Sequence, residues 1–109
     1  MNELESALLE ELTNGEEPKF LIRTHTRIDA GRWWRPTPVW LCITGNELIL
    51  FAVARRCYTE RIPLSDCIGS HYAHASGELV IDPAETLHMK RVKLSPREAL
   101  DTIDFLSHQ

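Results

Sequence analysis

Five arginines and two adjacent tryptophans are the residues of this chain best suited to hold a ligand: Arg27, Arg32, Trp33, Trp34, Arg35, Arg55 and Arg56. A guanidinium fork binds phosphate or carboxylate through paired hydrogen bonds, and tryptophan supplies a large, partly polar contact surface. Two kinds of occupant suit that chemistry. Tryptophan and arginine are enriched at the centres of protein interfaces, which points to a protein partner or to a second copy of the chain. In the second case the acidic first helix of one copy would lie against this basic rim of another. Tryptophan also favours a membrane interface, so the alternative is an anionic lipid headgroup held by the same residues. Asp82 and Glu85 are expected at the same end of the molecule, where they would oppose an anion.

Cys57, Cys67, His71 and His74 are zinc-competent residue types, but only the two histidines have the short spacing of a structural zinc site. On a regular strand those histidines point to opposite faces. Buried thiols and surface histidines are therefore expected, with no metal and no cofactor. Cys67 with His71 lacks an orienting third group, His25 reads as a surface residue, and no nucleophile elbow, phosphate loop or dinucleotide fingerprint is present. A non-enzymatic protein is expected.

The 109 residues suffice for one domain, 1–109, able to bury a core without disulfides or metal. Three cysteines without close spacing fit free thiols in a reducing compartment, and no secretory leader or run of about 20 apolar residues is seen. A cytoplasmic protein is expected, free or peripheral to a membrane. Net charge is −4, yet residues 1–18 alone carry −6 and the remainder +2. A mildly basic body behind an acidic leader lacks the dense basic face of a nucleic-acid binder.

Stepping along the chain, residues 2–14 read as a helix with Asn2 as N-cap, Glu5 closing a capping box and Asn14-Gly15 ending it. Its expected buried stripe is Leu4, Leu8 and Leu12 with Ala7 beside it. Residues 19–94 read as antiparallel strands. Lys19 to Asp29 alternates cleanly, with Phe20, Ile22, Thr24, Thr26 and Ile28 opposed to Leu21, Arg23, His25, Arg27 and Asp29. Val39 to Thr44 opposes Val39, Leu41 and Ile43 to Trp40 and Cys42, and a two-residue turn at Gly45-Asn46 leads into Glu47 to Ala54. That third strand is apolar on both faces and must be covered on both. Further strands are expected at Tyr58 to Leu64, Cys67 to Ala75, Glu78 to Asp82 and Thr86 to Val92, with a hairpin at Ser76-Gly77 and a bulge or strand end near Val92. Residues 95–108 read as the closing helix, with Ser95 as N-cap, Pro96 at its first position, Glu98 in a capping box, and Ala99, Leu100, Ile103 and Leu106 expected to be buried.

Seven strands and a capped helix suggest a mainly β, α+β domain built on a strongly bent antiparallel sheet. With Ile43-Thr44-Gly45-Asn46-Glu47-Leu48-Ile49-Leu50, Ile62-Pro63-Leu64-Ser65-Asp66 and the last helix, residues 20–106 resemble the pleckstrin-homology-like superfamily, its bacterial members most of all. The chain departs from it at Glu47, where a basic residue is common. The resemblance implies an open barrel of seven strands capped by the C-terminal helix, here with an extra N-terminal helix. It also implies a ligand surface between the first and third interstrand loops.

Overall fold

The computed structural model describes residues 1–31 and 35–107. The chain is α+β: helix α1 (Glu3–Thr13), strands β1 (Phe20–Ile28), β2 (Thr37–Ile43), β3 (Glu47–Val53) and β4 (Cys57–Pro63), a 3-10 turn at Leu64–Cys67, strands β5 (His71–Ala73), β6 (Glu78–Val80) and β7 (Arg91–Lys93), and helix α2 (Pro96–Ser107). The expected single bent sheet is instead two antiparallel sheets, in the orders β1-β2-β3-β4 and β5-β6-β7, and no barrel closes. They meet where β1 touches β7, with the Lys93 amide donating to Thr26 Oγ1 at 2.7 Å. A shift in the β1–β2 register between Arg23 and Arg27 accompanies this meeting.

The period of two in β2 and β3 sorts the sheet's two faces. Val39, Leu41, Ile43, Leu48, Leu50 and Ala52 point inward and join Leu79, Val92, Ala99 and Leu106 in the main core. Cys42, Ile49 and Phe51 point outward, yet each is fully buried. Leu8, Leu9 and Leu12 of α1 cover them, so both faces of β3 are removed from water as its composition requires. The turn before β3 closes through Thr44 N to Glu47 O at 3.0 Å, with neither Gly45 nor Asn46 at positive φ.

α1 is rotated from its expected setting. Leu4 is 52% exposed, whereas Glu5 is buried at 5% and Leu9, not Ala7, faces the sheet. The capping box is present as expected, and the helix ends on Asn14 in the left-handed region. In α2 the Ser95–Glu98 capping box forms, but Leu100 is 61% exposed and Thr102 is fully buried. The Thr102 hydroxyl donates to Glu98 O at 2.8 Å, which lets a polar side chain occupy the core without an unmet hydrogen bond.

The largest departure lies between β4 and β7. Residues 67–70 continue from the 3-10 turn into further turns, and the strand expected at Thr86 to Val92 begins only at Arg91. Residues 81–90 form an irregular segment that buries Ile81, Ala84 and Leu87, with Ala84 at φ 41°. Glu60 on β4 holds this segment. Its carboxylate accepts from the amides of His88 and Met89 at 2.8 and 2.9 Å, from the Tyr58 hydroxyl, and lies 3.1 Å from His88 Nδ1. Partial burial alone would raise the Glu60 pKa, but these hydrogen bonds together hold it below its usual value.

The sign of the resulting pH dependence follows from that depression: the stabilisation is present above the unfolded glutamate value of about 4.3 and is lost as pH falls through the lower folded value. Hydrogen bonds to a charged group contribute about 1.5–3 kcal/mol, so Glu60→Gln should lower unfolding free energy by about 2 kcal/mol at pH 7. In urea titrations the variant should also lose less stability than the wild type between pH 6 and the acid range. Equal pH slopes for the two proteins would refute the role given to this carboxylate.

Candidate binding cleft

α1 is fastened to the outer face of the first sheet at both of its ends. At the N-terminal end Glu5 Oε1 accepts from Asn2 N at 3.0 Å, while Oε2 accepts from Trp40 Nε1 at 2.7 Å. At the other end Arg61 on β4 donates to Leu12 O at 3.2 Å and is itself held by both carboxylate oxygens of Glu47. A cation at the C-terminal carbonyls suits the helix dipole. Trp40 stacks on its cross-strand neighbour Phe51 at 6.4 Å, which fixes the indole that Glu5 grips.

α1 covers only part of the sheet. Between its first turn and the β1–β2 end of the sheet lies an open cleft of about 420 Å³. Its wall contains Arg23, Arg27, Arg35 and Trp40 from the sheet side, with Met1, Leu4 and Glu5 opposite. Glu5 is the sole carboxylate of that wall among the described residues, and both its oxygens are already engaged. Arg56, Arg61, Arg91 and Arg97 each pair with an acid. Among the described residues no carboxylate pairs with Arg23, Arg27 or Arg35, and all three are exposed. The result is a cationic hollow beside two exposed apolar side chains, Met1 at 50% and Leu4 at 52%.

The residues singled out from the sequence divide into three groups. Arg27 and Arg35 line the cleft. Arg55 and Arg56 stand in the adjacent β3–β4 turn, tied to the β1–β2 loop because Ala30 O accepts from both of their amides, at 3.0 and 2.9 Å. These two loops therefore do meet, and closely: a Cβ on Gly31, whose φ is +97°, would sit 2.7 Å from Arg55 Cβ. Arg56 is partly neutralised by Asp29 at 3.4 Å. Arg32, Trp33 and Trp34 lie outside the described residues. Arg23 joins Arg27 and Arg35 in the cleft, and the signal for it in the sequence is the alternation of β1, which places it on one face with Arg27.

The acidic loop is not at this end. Asp82 O accepts from Gly69 N and Asp66 O from Ala84 N, both at 2.9 Å, beside the 3-10 turn. That turn follows Pro63, which pairs with Glu47 at the far end of the β3–β4 hairpin from Arg55 and Arg56. Asp82 thus does not oppose an anion in the cleft. Nor do the zinc-competent residues converge. Cys57 is exposed at the start of β4, Cys67 is buried, His71 and His74 are exposed, and no metal-competent group of three or more forms among the described residues. Burial, with the nearby carboxylates of Glu47 and Asp66, pushes the Cys42 and Cys67 thiols up to about 11, so both stay protonated at neutral pH. His25 is exposed, and its Nε2 lies 3.0 Å from Glu98 Oε1, joining β1 to α2. No helix among the described residues is long and apolar enough to cross a membrane.

If the Glu5–Trp40 bond sets the depth of the cleft, its two partners must be energetically coupled. A double-mutant cycle with Glu5→Gln and Trp40→Phe should give a coupling of about 1–2 kcal/mol in urea unfolding, within the range for hydrogen bonds to charged groups. Additive effects would show that the Glu5–Trp40 bond contributes nothing to the docking of α1. No family model, no curated protein and no solved structure matches this chain, so its functional reading rests on this geometry.

Proposed function

We propose that this chain is a non-enzymatic, pleckstrin-homology-like binding module that recognises an acidic surface of a protein partner through the cleft at Arg23, Arg27 and Arg35. The fold-level part of this reading is supported by a four-stranded and a three-stranded antiparallel sheet followed by a C-terminal helix in the main core. The functional part rests on one observation. Three neighbouring arginines are left without a carboxylate partner, in a molecule whose Arg56, Arg61, Arg91 and Arg97 each have one. Guanidinium groups grouped around a concave surface favour a carboxylate-bearing ligand, and the neighbouring Met1, Leu4 and Trp40 favour one that also carries apolar atoms. A protein surface has both.

The second reading, an anionic lipid headgroup at the same arginines, is favoured by the exposure of Met1 and Leu4 beside them. An oligoglutamate peptide and phosphatidylserine-containing vesicles separate the two. At low salt the peptide should shift the amide resonances of Arg23, Arg27, Thr37 and Trp40 in isotope-labelled protein. Arg27→Glu should weaken that binding at least roughly tenfold, since like charges placed in contact are strongly unfavourable. Absence of shifts at low salt, in protein that light scattering shows to be monomeric, would overturn the protein-binding reading, and salt-sensitive vesicle flotation in its place would establish the lipid reading.

A further inference from the structure

Resting on that reading, we infer that the acidic surface docked in the cleft is α1 of a second copy of the same chain, so that the protein forms a two-fold dimer through the outer face of its first sheet. α1 turns one surface away from the sheet. Glu5, Leu9 and Thr13, at spacings of four, face inward with Leu8 and Leu12. The outward stripe is therefore Glu3, Ala7, Glu10 and Glu11, all exposed. Among the described residues none of these three glutamates has an ion-pair partner. The middle of the stripe is small at Ala7, which leaves room for a close approach.

This acidic ridge and the cationic cleft lie side by side on one face of the molecule, because α1 forms one wall of the cleft. A two-fold axis lying in the plane of that face, between ridge and cleft, exchanges them: the ridge of each copy meets the cleft of the other, and both contacts form together. Such self-complementarity is what an isologous interface requires. Glu3, Glu10 and Glu11 would oppose Arg23, Arg27 and Arg35 of the opposite copy, and the exposed Met1 and Leu4, which border both surfaces, would fall near the axis. A dimer of standard size covers about 800 Å² per subunit, roughly an eighth of the 6574 Å² of surface of this chain. One face of a domain 33 × 33 × 25 Å across supplies that area.

The net charge of −4 opposes association only at long range. At physiological ionic strength the Debye length is about 8 Å, so distant charges on the two copies are screened while arginine and glutamate in contact are not. The contact therefore weakens at about 1 M salt, where the Debye length falls to about 3 Å.

Charge reversal tests the pairing with the chain itself. Two variants are needed, Arg27→Glu with Arg35→Glu, and Glu10→Arg with Glu11→Arg; all four positions are exposed, and circular dichroism checks that each variant stays folded. Light scattering should show a dimer for the wild type, shifting to monomer in high salt. Each variant alone should be monomeric, with self-association weakened at least roughly tenfold. Mixed in equal amounts, the two should form a heterodimer, because acidic ridge then meets basic cleft and basic ridge meets acidic cleft. A monomeric wild type overturns the inference, as does a dimer that survives either reversal. Variants that dissociate but fail to recombine overturn the pairing of ridge with cleft. A wild type that stays monomeric yet binds oligoglutamate at Arg27 would remove the dimer alone and leave the module's protein-binding reading standing.

Discussion

A strand that is apolar on both sides cannot leave either of them in water, and β3 imposes that condition on the rest of this molecule. Fully burying a side chain such as Ile49 or Phe51 is worth about 1.5–3 kcal/mol, against a total stability for a domain of about 5–15 kcal/mol. The second sheet and α2 cover the inner face of β3, and α1 covers Ile49, Phe51 and Cys42 on the outer one. Docking of α1 is thus a requirement of the core, and the position of every other outer-face residue is set around it.

α1 has 11 residues, about 16 Å of helix at 1.5 Å per residue. Glu5 anchors it to Trp40 at one end, and Arg61 meets the carbonyl of Leu12 at the other. A helix of that length, pinned at those points, leaves the β1–β2 end of the sheet open. The cleft is this uncovered remainder, and its charge follows from the same arrangement. Glu5 stands in the cleft wall with both oxygens engaged by Asn2 and Trp40, Glu47 is taken by Arg61, and the acids around Asp66 and Asp82 are gathered at the opposite end. Among the described residues Arg23, Arg27 and Arg35 are thereby left without a carboxylate partner.

Polar groups carry a second structural duty in this fold, that of fixing irregular backbone. The segment 81–90 pairs with no strand of the first sheet, so its amides need other acceptors. Glu60 supplies them for His88 and Met89 from the edge strand β4. Placing a carboxylate rather than another strand at this seam also occupies part of an edge that would otherwise invite pairing with a second chain.

Local signals were the legible ones. The alternation of β1 to β3, the two-faced apolarity of β3, the capping boxes at Asn2–Glu5 and Ser95–Glu98, and the hairpin at Ser76-Gly77 depend on neighbours a few residues away, and all are present. Arg27 and Arg35 could likewise be picked out by residue type and loop position. The rotation of α1, the bond between Glu5 and Trp40, 35 residues apart, and the contact of Glu60 with residues 28 and 29 positions later had no local signature. Thr86 to Val92 misled because Leu87 and Met89 are apolar at strand spacing while their burial is achieved by an irregular segment. Short-range periodicity and capping chemistry, written in the chain itself, determined the two helices, strands β1 to β4 and the need to cover both faces of β3. Which residue meets which across those faces, and therefore where a cationic hollow remains open, was decided only when distant side chains competed for the same buried hydrogen bonds and the same apolar surface.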